Sequence, residues 1–128
     1  MLQVPPNCDL SLGLRRLASD DPSRSVWAID VDERFTNPMG VLQGGFLAAI
    51  ADSAMGAAVV QAAAGAVRVA NTDLRVSLLR PVRPGATLTC VAQVRRIGRT
   101  VAFTDATVRD QHDHLVATAS STFVVSPR

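Results

Sequence analysis

Gln43-Gly44-Gly45-Phe46-Leu47-Ala48-Ala49-Ile50-Ala51-Asp52-Ser53-Ala54-Met55-Gly56-Ala57-Ala58-Val59-Val60 is the stretch on which the fold turns. Ala, Leu, Met and Gln favour helix, and Pro38 and Gly40 punctuate a loop leading into it. From Phe35 to Val67 nearly every residue is small or apolar, and Asp52 is the sole charge between Arg34 and Arg68. A helix apolar on all faces must be wrapped by other structure. A carboxylate on it is costly to ionise unless something pairs with it, so Asp52 is the first candidate functional residue. Asp52 lies more than two turns past the Gly pair, too far along to be a cap, although a structural ion pair stays open. The run is also long enough to cross a membrane. Against that stand its Ala and Gly content, the lack of flanking Trp or Lys, and roughly 2.5–3.5 kcal/mol of insertion cost for the acid.

Outward from the helix the pattern changes period. Ahead of it, residues 1–8 read as a Pro-containing lead-in, Asp9 to Ala18 as a short amphipathic helix, and Ser25 to Val31 as a strand. Behind it, Leu74, Val76 and Leu78 alternate with Asp73, Arg75 and Ser77, predicting a strand over Thr72–Leu79 with one buried face. Further strands follow from Leu88 to Val94, Thr100 to Arg109 and Leu115 to Val125, separated by turns at Pro81–Gly85, Gly98-Arg99 and Asp110–Asp113. One strand, one long buried helix and four strands joined by short turns predict an α+β fold, with an antiparallel sheet closed over the helix. At 128 residues the chain is expected to form a single domain, 1–128, with residues 1–20 as its lead-in and short helix.

All thirteen basic residues are Arg, and the net charge of +2 is too small to imply nucleic acid. Six acids fall within the first 33 residues, whereas Arg68, Arg75, Arg80, Arg83, Arg95, Arg96 and Arg99 have only Asp73 as a local acid. Such a concentration can bind phosphates, and any one of these Arg residues can equally belong to a solvated strand face. Cys8 and Cys90 are far apart and form no Cys-x-x-Cys. Two lone thiols fit a reducing compartment, and with no signal-length apolar start the expected location is the cytoplasm. His112-Asp113-His114 supplies too few ligands for a metal site, and no metal is expected.

Asn37-Pro38-Met39-Gly40-Val41-Leu42-Gln43-Gly44-Gly45, followed by Asp52, resembles the motif of hotdog-fold acyl-CoA thioesterases of the PaaI-like, phenylacetic acid pathway type. That group typically reads Asn-x-x-Gly-x-x-His-Gly-Gly, with an Asp nine residues after the His. The agreement continues through Asn71-Thr72-Asp73-Leu74, Leu79-Arg80-Pro81, Gly98-Arg99 and Ala117-Thr118-Ala119 to Phe123, so it covers nearly all of the chain past residue 20. The resemblance implies a hotdog fold, an antiparallel sheet wrapped around one long helix. It also implies hydrolysis of an acyl-CoA to a free acid and coenzyme A without a cofactor, in a homodimer paired into a tetramer. One position departs from the pattern. Gln43 stands where His is usual, and an amide donates a hydrogen bond but cannot exchange protons near neutral pH.

The chemistry of these residues supports that expectation. Thioester hydrolysis needs a donor for the carbonyl oxygen and a group that attacks or activates water. Gly44 at a helix N-terminus presents an unobstructed backbone N–H, strengthened by the helix dipole. Asp52, as nucleophile or general base, sits about two turns further on, too far for both to touch one thioester. In similar proteins each site is built from two protomers, with the acid facing the partner's loop. Asn37 and Gln43 join Asp52 and Gly44 as expected catalytic residues. Gly45, Asn71, Thr72, Arg80, Arg83 and Arg99 are expected to bind substrate, the arginines through the phosphates of coenzyme A. Ser53 points away from Asp52 and lies in no Gly-x-Ser-x-Gly, so a serine hydrolase is not expected. Two rivals follow from Gln43 and the histidines. One is a non-catalytic acyl-CoA-binding module. The other is a hydratase or dehydratase, which needs a His paired with an acid, whereas the only histidines here lie in a late turn.

Overall fold

The computed structural model describes residues 6–128, so the first part of the expected lead-in lies outside the described residues. Its centre is α2, Gly44–Ala62. Leu47, Ile50, Ala51, Ala54, Met55, Ala58 and Val59 are buried along one side of it, at the three- and four-residue spacing of a single helical face. The helix is therefore not covered all round, as its composition predicts. The opposite side carries Ala48, Ala49, Asp52, Gly56 and Ala57, only partly covered, and Val60, which is exposed. Because both sides are apolar, composition conceals which of them faces the core. Length and composition would also let α2 cross a bilayer. In this fold its apolar stripe is instead packed against β-structure.

That structure is one antiparallel sheet curled round α2, the hotdog arrangement. Its strands are β1 (Arg15–Leu17), β2 (Arg24–Asp30), β3 (Val67–Asn71), β4 (Arg75–Leu78), β5 (Thr87–Ile97), β6 (Val101–Arg109) and β7 (Leu115–Pro127). Their order is β1-β2-β5-β6-β7-β3, with β4 also on β7. Helix α2 packs against β2, β5, β6, β7 and β3. Strands β5 and β6 alternate strictly, with Leu88, Cys90, Ala92 and Val94 and then Ala102, Thr104, Ala106 and Val108 turned inward. Burial pushes the Cys90 thiol up to about 12, so it stays a neutral core side chain.

Two expectations are corrected. The segment from Asp9 to Ala18 is not one helix: α1 spans Asn7–Leu12, Gly13 turns the chain at a φ of 74°, and β1 follows. Glycine suits that left-handed turn, and the loose leucine spacing reflects two short elements, not one. Nor is Thr72–Leu79 one strand with a buried face. Only Arg75–Leu78 of it is a strand, β4, which pairs with the middle of β7; Thr72–Leu74 link it to the unexpected β3, which pairs with the end of β7. Asp73 fills the gap: its Oδ1 accepts from the Thr122 amide at 2.8 Å and its carbonyl accepts from Ser121 Oγ at 2.7 Å. Leu74 and Leu78 are exposed at this edge of the sheet, beyond which no further strand lies among the described residues. Five strands, not four, therefore follow the helix.

One buried polar relay ties the sheet to the helix. Ser25 Oγ on β2 donates to the Ala54 carbonyl of α2 at 2.6 Å and accepts from Trp27 Nε1 at 3.1 Å. Ser25→Ala leaves the buried indole N–H without an acceptor, an expected loss of about 1–3 kcal/mol. Urea unfolding checks this, and a loss within about 0.5 kcal/mol of zero would mean that the relay contributes nothing.

Candidate active site

Asp52 lies on the open side of α2, half-buried. Along β3 the side chains alternate, and Val69 and Asn71 share the face turned toward the helix. This brings Asn71 Nδ2 to Asp52 Oδ1, where it donates at 2.7 Å. The cost of an acid on an apolar helix is thus met by partial exposure and by an amide donor, not by a cation. The pair opens into a groove of about 1010 Å³, whose apolar walls include Trp27, Val60 and Phe123.

Next to Asp52, Ser53 Oγ donates to Asp9 Oδ1 at 2.7 Å, and Asp9 is only 6% exposed. This clasp holds α1 against α2 and forms part of the groove wall. It was not legible in the sequence. Asp9 lies 44 residues from Ser53, and nothing in the spacing joins the two. The clasp occupies the Ser53 hydroxyl, in keeping with the absence of a serine-hydrolase motif.

The second half of the site is the loop ahead of α2. Asn37 Oδ1 accepts from the amides of Met39 at 2.9 Å and Val41 at 3.3 Å, and Gly40 takes a φ of 75° to close the turn. The carbonyl end of Asn37 therefore braces the loop, which leaves its amide N–H groups as the end able to meet a substrate. The Gln43 amide donates to the Phe35 carbonyl at 2.9 Å, while its exposed side chain makes no capping bond. Gly44 and Gly45 open the helix, where backbone N–H groups have no intrahelical acceptor and the dipole is positive. A Cβ on Gly44 would lie 2.5 Å from Leu78 Cδ1, whereas Gly45 faces open space.

Within one chain these halves do not meet. Eight residues separate Gly44 from Asp52, about 12 Å along the helix. Asn37, Gly44 and Arg80 line a cavity of about 290 Å³ that shares no residue with the groove of Asp52 and Asn71. Thr72 is not brought to the acid either: its backbone N–H and Oγ1 both donate to the Thr122 carbonyl, at 2.9 and 3.4 Å. Arg83 lines a third cavity beside Asp110 and Gln111. Arg99 lies at the far end of the sheet. Its neighbour Thr100 bonds Val125, whereas Arg80 bonds Val116, about 30 Å away along β7. One chain cannot bring Arg80 and Arg99 to the same phosphate. His112 and His114 are exposed, their amides donating to Asp110 Oδ1.

With this geometry in place, comparison with known proteins decides the family. Residues 39–117 match the model of the thioesterase superfamily. The chain belongs to that superfamily. It is 31% identical over 98 residues to acyl-coenzyme A thioesterase 13 of Homo sapiens, covering 77% of this chain and 69% of that one. Among solved structures it superposes on the PaaI protein of the E. coli phenylacetic acid degradation operon with a TM-score of 0.87. That pair is 25% identical, covering 94% of this chain and 85% of the other. A phenylacetic acid degradation-related thioesterase from Ralstonia eutropha gives a TM-score of 0.85 at 29% identity, covering 93% and 89%. The resemblance seen in the Asn37–Gly45 motif thus holds, and the protein is a thioester hydrolase of the hotdog, PaaI-like type.

Gln43 is the position at which this thioesterase departs from its group. An exposed amide at the helix N-cap keeps the donor and loses the proton exchange of His. If donation is its whole role, Gln43→His leaves turnover within about tenfold, or about 1.4 kcal/mol in barrier. Activity that appears only in the His variant would mean that the natural chain is a binder or a decayed enzyme.

Proposed function

We propose that the protein hydrolyses an acyl-CoA to a carboxylic acid and coenzyme A, at sites shared between two copies of the chain. The observation that carries the reading is the separation of two chemically complementary half-sites. One is a helix N-terminus with Asn37, Gln43 and Gly44 around it, and the other is a carboxylate held by Asn71. The Gly44 N–H of one protomer polarises the thioester carbonyl, and the partner's Asp52 acts on its carbonyl carbon. As general base, Asp52 takes a proton from water while the water oxygen attacks. Collapse of the tetrahedral adduct then breaks the C–S bond, and the departing thiolate recovers the proton. As nucleophile, the carboxylate attacks the carbonyl carbon and expels the thiolate to form an anhydride; water then opens it to the free acid and Asp52, and the proton released passes to the thiolate. Both routes need Asp52 ionised, and neither needs a metal or cofactor.

Supporting the second copy are the unpaired outer edges of β3 and β4, together with the exposed Met39 (80%), Leu78 (55%) and Leu79 (52%) beside the loop half-site. Pairing of dimers into a tetramer remains part of the proposal. Arg80, beside Gly44, is the arginine best placed for a coenzyme A phosphate. The two free thiols, one exposed and one in the core, fit a cytoplasmic location. A non-catalytic acyl-CoA-binding module is the second reading, favoured only by Gln43.

Asp52→Asn keeps the side-chain oxygen that accepts from Asn71 and removes the charge. It is expected to leave the melting temperature and acyl-CoA binding in place while single-turnover hydrolysis falls by about 10² or more. A structural Asp52 gives the reverse, lost stability with turnover retained in the folded fraction. Light scattering at micromolar concentration should report a dimer or a multiple of it, and an active monomer would remove the shared site.

A further inference from the structure

The groove that begins at Asp52 ends on a cation. Nine residues of α2 separate Asp52 from Gln61, about 14 Å of helix, and both line the groove. At the far end Arg16 Nη2 donates to Gln61 Oε1 at 2.6 Å, and its guanidinium lies 5.3 Å from the centroid of the Trp27 ring. Gln61 is itself fixed, donating through Nε2 to the carbonyls of Asp21, Pro22 and Arg24 at 3.3, 2.9 and 3.1 Å. Asp30 pairs with Arg15 at 2.8 Å and Asp21 with Arg24 at 3.8 Å, while Asp9 on the groove wall accepts from Ser53. Among the described residues, Arg16 has no carboxylate partner. Between the two ends the walls are apolar apart from the Asp9–Ser53 clasp, with Gly56 and Ala57 leaving room over the helix and Val60, Val69 and Phe123 around them.

We infer that the preferred acyl group carries a carboxylate at its distal end, bound by Arg16, with the thioester at Asp52. The inference rests on the thioesterase reading for the position of the reacting end. A medium-length hydrocarbon spans the walls, and guanidinium donors left over from Gln61 and the Trp27 face meet an anion bidentately. A methyl terminus in the same place gives the exposed guanidinium no anionic acceptor and gains none of this pairing.

The test compares decanoyl-CoA with sebacoyl-CoA, the dicarboxylic analogue of equal length. Wild type is expected to favour sebacoyl-CoA about threefold to fivefold in kcat/KM, the scale of an exposed ion pair. Arg16→Met should remove most of that ratio and Arg16→Lys should restore part of it. Calorimetric binding of both thioesters to Asp52→Asn measures the same preference without turnover. Turnover with no preference, or with a ratio that Arg16→Met leaves unchanged, overturns the inference and spares the thioesterase reading. A binding preference without turnover does the opposite. If Arg16→Met weakens both substrates equally, the guanidinium serves coenzyme A and the inference is wrong. Failure of both thioesters to bind also overturns it.

Discussion

A helix apolar on two sides must divide them between core and chemistry, and the rest of this molecule depends on how α2 does so. The larger side chains, Leu47, Ile50, Met55 and Val59, go to the sheet, where burial of aliphatic surface is worth most. Alanine and glycine dominate the other side, with Asp52 among them. Small residues leave a groove where larger ones would fill it, and partial exposure lets a carboxylate sit there at tolerable cost.

The sheet serves the same division. Its long strands β5, β6 and β7 give α2 a continuous apolar floor, while the short edge strand β3 carries Asn71 to the acid. Asp73 makes that possible by bridging onto Ser121 and Thr122 where the edge breaks, so β3 and β4 can both pair with β7. The break supplies curvature, and the exposed edge it leaves is where a second copy would find unpaired backbone. In that sense the proposed assembly and the proposed active site are one problem, because the Gly44 loop and Asp52 do not meet within one chain.

Gln43 shows how little the scaffold depends on the residue that varies. The loop from Asn37 to Gln43 is held by backbone amides on Asn37 Oδ1 and by the Gln43 amide on Phe35, none of which uses the Gln43 side chain. An exchange of His for Gln therefore changes proton chemistry at the helix N-terminus and leaves the N–H groups of Gly44 and Gly45 where they are. A catalytic strategy that relies on polarisation and a distant carboxylate tolerates it, whereas one that relies on a proton relay through that position does not.

By itself the sequence determined the long helix, the antiparallel strands after it, the Asn37–Gly45 loop and the position of Asp52 as the one charge on the helix. Each of these rests on local pattern: period, turn chemistry, and one charge in an apolar run. Tertiary structure decided what local pattern cannot hold. It showed that α2 has an open side, because Ala and Gly read alike whether buried or exposed. It split the expected helix from Asp9 to Ala18 at Gly13, shortened the expected strand over Thr72–Leu79 to Arg75–Leu78 and added β3 ahead of it, through pairing with β2 and β7. It chose Asn71 over Thr72 as the partner of Asp52, since β3 ends at Asn71 and Thr72 turns back onto the Thr122 carbonyl. It joined Asp9 to Ser53 and Arg16 to Gln61 across more than 40 residues, through contacts that exist only when α1 and β1 fold back onto the helix.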